Sequence, residues 1–98
     1  MNNTQEITPT QIESWKKEHG RVFCAENEGR KGYYRKPSRK DLSYAMTLQD
    51  KPLEMSETLL RQCFLGGHPL HEDTECLLGC DKLVEQLLQV KKVEVGEL

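Results

Sequence analysis

The segment YYRKPSRKDLSYAM, residues 33–46, places an aromatic and basic strand directly before a capped amphipathic helix. Pro37 restricts the residue before it to extended conformations, so the helix cannot begin earlier. Ser38 is a favoured N-cap residue, and Asp41 stands three residues later in the acidic position of a capping box. Three apolar residues then share one helical face: Leu42, Ala45 and Met46. The segment predicts a strand, a sharp corner and a helix that begins after Ser38.

A first helix is predicted well before this corner. Residues 8–11, TPTQ, supply an N-cap, a proline at the first helical position and a capping-box partner. The helix should run to about His19, where Gly20 is the expected residue past its end. Ile12 and Trp15 should lie on its buried side because they share one helical face.

Strand-like sequence flanks a polar, glycine-containing stretch between the first helix and the corner. Residues 21–26 (RVFCAE) and 33–36 (YYRK) contain the β-branched and aromatic residues typical of strands, and residues 27–32 lie between them. They predict a β-hairpin with a basic tip. Residues 91–98 alternate valines with charged neighbours, which indicates either a third strand against the hairpin or a frayed end. The strand is favoured because an isolated two-stranded hairpin is only marginally stable.

Two further helices are predicted after the corner helix. Asp50 and Pro52 can open the first, which ends at Gly66–Gly67 and carries the apolar residues Leu53, Leu59, Leu60, Cys63 and Phe64. Asp73 or Thr74 can cap the last helix. Its apolar residues recur at steps of three and four: Cys76, Leu77, Cys80, Leu83, Val84, Leu87 and Leu88.

These elements predict an α+β fold in one domain spanning residues 1–98. An N-terminal helix and a β-hairpin would pack with three further helices, and residues 91–98 would add a third strand to the hairpin if they are not frayed. A chain of 98 residues rarely holds two independent cores. Residues 1–6 and 96–98 are expected to be frayed. The chain has no apolar run of about 18 residues and no secretory signal pattern, which favours the cytoplasm and reduced thiols for its four cysteines.

The charge of the chain is unevenly distributed. The net charge is only −2, but residues 30–40 hold six of the 14 basic residues and no acidic residue. The other eight basic residues stand against all 16 acidic residues in the rest of the chain. A basic segment on an acidic body favours an anionic partner, or self-association of opposite faces into a homo-oligomer.

The cysteines and histidines of this sequence could be metal ligands or nucleophiles, but their positions favour a structural role. Five soft ligands lie within 18 residues, namely Cys63, His68, His71, Cys76 and Cys80, as a structural zinc site would require. Their spacing lacks the close Cys-x2-Cys knuckle, and Cys76 and Cys80 lie on the apolar stripe of the last helix, where thiols pack as small apolar groups. No serine or cysteine has the context that activates a nucleophile. We therefore expect no metal, no cofactor and no enzymatic activity.

The basic segment also supports a nucleic-acid hypothesis. Its cations could follow a phosphate backbone, while Tyr33 and Tyr34 could offer stacking faces for unpaired bases. Basic residues on an exposed hairpin also discourage edge-to-edge pairing, and this use needs no ligand. The acidic remainder of the chain opposes binding to polyanions, so this hypothesis ranks second.

The order of segments resembles the small tail assembly chaperones of tailed bacteriophages and prophages. The matching segments are TPTQIESWKKEHG (8–20), RVFCAE (21–26), YYRKPSRKDLSYAM (33–46), LLRQCFLGG (59–67) and the last helix. Within them, residues 35–42 follow the corner pattern R-x-P-[ST]-R-x-[DE]-L of that family. Residues 59–63 follow its later Leu-Leu-x-x-Cys helix pattern. The resemblance covers nearly the whole chain.

The resemblance implies a non-catalytic binding protein in the cytoplasm of a bacterial host. Such chaperones coat the long helical tape-measure protein before the tail tube polymerises around it, so a tape-measure-type tail protein is the implied partner. Apolar grooves of helical domains bind amphipathic helices, and several copies along a filament add avidity. The corner residues Tyr33, Tyr34, Arg35, Arg39 and Tyr44 are the predicted partner-binding residues. A structural virion component is a further alternative.

Overall fold

The computed structural model describes residues 7–89 and 91–98. The elements follow in the order α1 (Pro9–His19), β1 (Val22–Asn27), β2 (Arg30–Arg35), α2 (Arg39–Met46), α3 (Pro52–Cys63), β3 (Phe64–Gly67), a 3₁₀ turn (Leu70–Glu72), α4 (Thr74–Leu78) and α5 (Asp81–Leu87). The strands form an antiparallel sheet in the order β1-β2-β3. The predicted α+β class is confirmed. The frayed end predicted for residues 1–6 lies outside the described residues.

Both predicted capping boxes are present. The Thr8 hydroxyl accepts from the Gln11 backbone N–H at 3.2 Å, and the Thr8 N–H donates to the Gln11 side chain at 3.0 Å. At the corner, the Asp41 N–H donates to the Ser38 hydroxyl at 3.2 Å, and the Ser38 N–H donates to the Asp41 carboxylate at 2.9 Å. The starts of α1 and α2 are therefore confirmed, because local side chains satisfy backbone donors that the helices leave open.

The hairpin turn is tighter than the sequence predicted. Asn27 and Arg30 already form a pair between β1 and β2, so only Glu28 and Gly29 connect the strands. Both residues have positive φ, 52° and 81°. Two consecutive residues in this region make the kind of two-residue turn whose twist matches a hairpin. The predicted loop over residues 27–32 is therefore wrong in its second half, which belongs to β2.

The third strand lies in a different part of the chain from the one predicted. β3 follows α3 without a connecting residue and pairs with β2, where Gly32 is the partner of Gly67. A Cβ added to Gly32 would collide with the carbonyl oxygen of His68, so glycine permits this close approach. Residues 91–98 form neither a helix nor a strand and are exposed, so the prediction of a third strand there is wrong.

The predicted last helix is divided into α4 and α5. Asp73 caps α4 by accepting from the backbone N–H groups of Glu75 at 3.0 Å and Cys76 at 3.4 Å. Gly79 then ends α4, and α5 begins at Asp81. The prediction of one continuous helix over this region is wrong. The apolar residues keep their helical spacing across the break, so their pattern alone does not reveal that the helix is interrupted.

One cluster of buried side chains joins the sheet to the helices. Its members are Tyr34, Ala45, Leu59, Leu60, Cys63, Leu77, Cys80 and Leu87. α1 contributes no fully buried residue, and Trp15 on its inner side is half-buried. Among the described residues, no helix has the length and apolar character needed to cross a membrane.

Candidate protein-binding surface

The two neighbouring tyrosines of β2 occupy opposite faces of the sheet. Tyr34 is 0% exposed, and its ring lies 5.5 Å from the Phe64 ring, centroid to centroid. Its hydroxyl shares a hydrogen bond of 3.0 Å with Nδ1 of His71. Tyr33 lies on the other face, where its ring is 5.8 Å from that of Trp15. Tyr34 is therefore the core residue, and Tyr33 joins α1 to the sheet.

Arg35 acts as a clamp inside the corner. One guanidinium nitrogen donates to the Asp41 carboxylate at 2.7 Å, and the other donates to the Gln62 backbone carbonyl at 2.8 Å. Burial alone would raise the pKa of Asp41, but hydrogen bonds from Arg35 and Ser38 outweigh it and lower that pKa. Arg35 thereby joins the end of β2 to both α2 and α3, and its charge is largely committed within the protein.

The remaining two predicted partner-binding residues, Arg39 and Tyr44, lie on the solvent-exposed face of α2. We define the outer face of α2 by its exposed residues, Arg39, Lys40, Ser43, Tyr44 and Met46. The Tyr44 side chain is 54% exposed and Met46 is 41% exposed. Lys40 precedes Tyr44 by four residues, so the two side chains are neighbours on the helix. Tyr44 and Met46 are two residues apart and therefore point to opposite sides of the helix. Tyr44 lies beside Lys40, whereas Met46 lies at the other edge of the exposed face and not on the buried side that the sequence predicted for it with Leu42 and Ala45.

The structure divides the basic segment 30–40 into two groups. Arg30 donates to the Asn27 side chain at 2.8 Å, and Arg35 forms the clamp described above. The other four cations, Lys31, Lys36, Arg39 and Lys40, are exposed. The segment thus presents four of its six positive charges to solvent, two of them on the outer face of α2.

The cysteines and histidines that the sequence offers as metal ligands are packed in the core or contact other side chains. Cys63 and Cys80 are buried in the core, and burial raises the pKa of the Cys63 thiol to about 11. His71 contacts Tyr34, and Nε2 of His68 lies 3.4 Å from Nη1 of Arg30. Within residues 7–89 and 91–98, no group of three or more histidine, cysteine, aspartate or glutamate residues could hold a metal ion. The four cysteines are free thiols.

A groove that the sequence did not predict lies between β1 and the pair α4 and α5. Its volume is about 770 Å³. Its lining includes the half-buried apolar residues Phe23, Ala25 and Leu83 and the exposed acids Glu26, Glu28, Asp73 and Glu75. We call this the β1 groove. Alternation in β1 places Phe23 and Ala25 on one face, but only the tertiary placement of α4 and α5 turns that face into a groove.

Comparisons with protein-family models, curated proteins and solved structures found no match for this chain.

Proposed function

We propose that this protein is a non-catalytic adaptor of the phage tail-assembly chaperone type. It binds a helical segment of a tape-measure-type tail protein through the outer face of α2. The observation that carries the proposal is the exposure of Tyr44 one helical turn from the cation Lys40, with Arg39 exposed on the same helix. Aromatic, methionine and arginine side chains are enriched in surfaces that bind other proteins.

The fixed position of α2 supports this role. The capping box holds its first turn, Arg35 ties Asp41 to β2, and Ala45 is fully buried on the inner side. The backbone of α2 therefore has little conformational freedom left to lose when the outer face contacts a partner. An amphipathic helix with acidic residues beside its apolar stripe has the complementary chemistry.

The proposal assigns separate roles to the five predicted residues. Tyr44 is the apolar anchor and Arg39 is a peripheral charge. Arg35 is a positioning residue, because its guanidinium is bound to Asp41 and Gln62. Tyr34 supports the corner from within the core, and Tyr33 supports it through Trp15.

Co-expression with the tape-measure product of the same genome, followed by affinity capture, tests the proposal. The unmodified protein should recover a complex, and failure to do so would overturn the proposal. The double variant Arg39→Glu, Lys40→Glu should slow association at low salt, whereas Tyr44→Ala should speed dissociation. The matched control is Lys16→Glu, Lys17→Glu on α1, which changes the net charge equally and should leave binding unchanged.

Nucleic-acid binding is the second candidate function. The four exposed cations of segment 30–40 favour it. The buried position of Tyr34 and the contact between Tyr33 and Trp15 remove the paired stacking faces that the hypothesis relied on. Tight, salt-dependent binding to single-stranded DNA or RNA, together with no capture of a tail protein, would place this function first.

A further inference from the structure

We propose that the β1 groove binds residues 91–98 of a second copy of this chain, added as a strand along the free edge of β1. Two copies would exchange these segments reciprocally and form a symmetric dimer. The proposal does not depend on the outer face of α2 or on the identity of a client.

The free edge of β1 provides the pairing surface. The sheet order is β1-β2-β3, so within residues 7–89 and 91–98 β1 has a strand neighbour on one side only. An edge strand presents backbone N–H and C=O groups that can accept another strand. At about 3.3 Å per residue, the six residues of β1 offer an edge of roughly 20 Å.

Residues 91–98 have the pattern of a strand that lacks a surface to cover it. Val93 is 80% exposed and Val95 is 92% exposed. Because they are two residues apart, both would lie on one face of a strand, while Lys92 and Glu94 would lie on the other. The segment supplies an apolar face of the length that the β1 edge can pair with.

Charge and polarity match the segment to the groove. The groove lining holds four acids (Glu26, Glu28, Asp73 and Glu75) and two bases (Arg30 and Lys82), so it is acidic on balance. Lys91 complements this charge, because it lies on the same strand face as Val93 and Val95. The valines complement the half-buried Phe23, Ala25 and Leu83. A strand placed along β1 would therefore bring the two valines to the apolar lining and Lys91 to the acids.

The exposure of the segment within its own chain indicates a second copy as the source. The Arg21 guanidinium donates to the Gln89 side chain at 3.1 Å, which places Gln89, two residues past the end of α5, beside the start of β1. Beyond this point the segment is exposed and leaves its own groove uncovered. In a reciprocal exchange, the segment of each copy fills the groove of the other, and the two contacts form one self-complementary interface.

The molar mass in solution, measured by light scattering over a range of protein concentrations, tests the proposal. The full chain should reach twice its monomer mass of 11.3 kDa. A chain ending at Gln89 and the variant Val93→Lys, Val95→Lys should both remain monomeric. The control Glu94→Lys, Glu97→Lys also adds two lysines to the segment but keeps the valines, so it should remain dimeric.

A peptide of residues 89–98 provides the second measurement. It should bind the chain that ends at Gln89, and Glu26→Lys with Glu75→Lys should abolish that binding at low salt. A full chain that is monomeric at every concentration would overturn the proposal. A truncated chain that still dimerises would also overturn it. If the full chain is monomeric and truncation lowers its thermal stability, the segment occupies the groove of its own chain.

Discussion

The hydroxyl of Tyr34 and Nδ1 of His71 lie 3.0 Å apart in the interior of the protein, and both side chains are buried. Each ring also contacts Phe64, with centroid distances of 5.5 Å from Tyr34 and 5.3 Å from His71. This pair connects β2 to the 3₁₀ turn that precedes α4. The hydrogen bond between them lies inside the core, so removing it should lower the free energy of unfolding.

Tyr34→Phe should lower the free energy of unfolding by about 1–3 kcal/mol, because it leaves a buried histidine nitrogen without its partner. Tyr33→Phe is the matched control on the opposite face of the sheet and should have a smaller effect. Urea unfolding of the two variants measures the difference. Equal losses would show that the Tyr34 hydroxyl does not stabilise the core.

Protein stability should fall as the pH decreases from 7.5 to 5. Burial lowers the pKa of His71 below its usual 6.5, so the unfolded chain binds a proton more readily than the folded chain. The contribution of neutral His71 is present above pH 6.5 and is lost as the pH falls through that value toward the folded pKa. Urea unfolding across this range measures it.

His71→Gln provides the control for this pH dependence, since it removes the titrating group and should flatten the curve. The lowered pKa of Asp41 acts in a separate range, because its contribution is present above 3.8 and is lost below it. If the stability of His71→Gln falls as steeply between pH 7.5 and 5 as that of the unmodified protein, groups other than His71 cause the pH dependence.

Ser38→Ala should destabilise the protein by about 0.5–2 kcal/mol, because it removes the N-cap of α2. Ser43→Ala, at an exposed position inside the same helix, should be close to neutral. Thermal and denaturant melts compare the two. Similar losses would contradict the role of Ser38 as a cap.

Arg35→Met should lower the free energy of unfolding by about 1.5–3 kcal/mol, since it removes charged hydrogen bonds to Asp41 and the Gln62 carbonyl. Arg39→Met, on the outer face of the same corner, should leave stability nearly unchanged. Denaturant unfolding separates the clamp from the peripheral charge. If the two variants have equal stability, Arg35 does not act as a clamp.

Leu87→Ala should cost roughly 2–5 kcal/mol, because the side chain is buried in the core. Glu85→Ala, on the exposed side of α5, should do little. Unfolding of both variants checks that α5 keeps its buried side after the break at Gly79. An unchanged melting curve for Leu87→Ala would contradict that packing.

Local signals in the sequence were sufficient for the starts of α1 and α2. Thr8 with Gln11, and Ser38 with Asp41, are pairs three residues apart whose interaction depends only on the helix between them. The corner geometry therefore followed from a few neighbouring residues. Asp73, one of the two candidate caps of the predicted last helix, caps α4 in the same local way.

Features that depend on distant contacts were not predictable in this way. β3 has the sequence FLGG, whose glycines are typical of a helix end, and only pairing with Gly32 in β2 makes it a strand. The inward position of Tyr34 depends on the layer that His71 and Phe64 provide. The β1 groove requires the break at Gly79 and the placement of α5, so neither strand nor helix pattern alone indicates it.

The direct junction between Cys63 and Phe64 couples two elements that usually adjust independently. Because α3 passes into β3 without a loop, one inserted residue would either rotate the apolar side of α3 by about 100° or exchange the two faces of β3. No intervening residue can absorb the change. Insertions at this junction should therefore be far more damaging than insertions in the exposed connection at Gln49–Asp50.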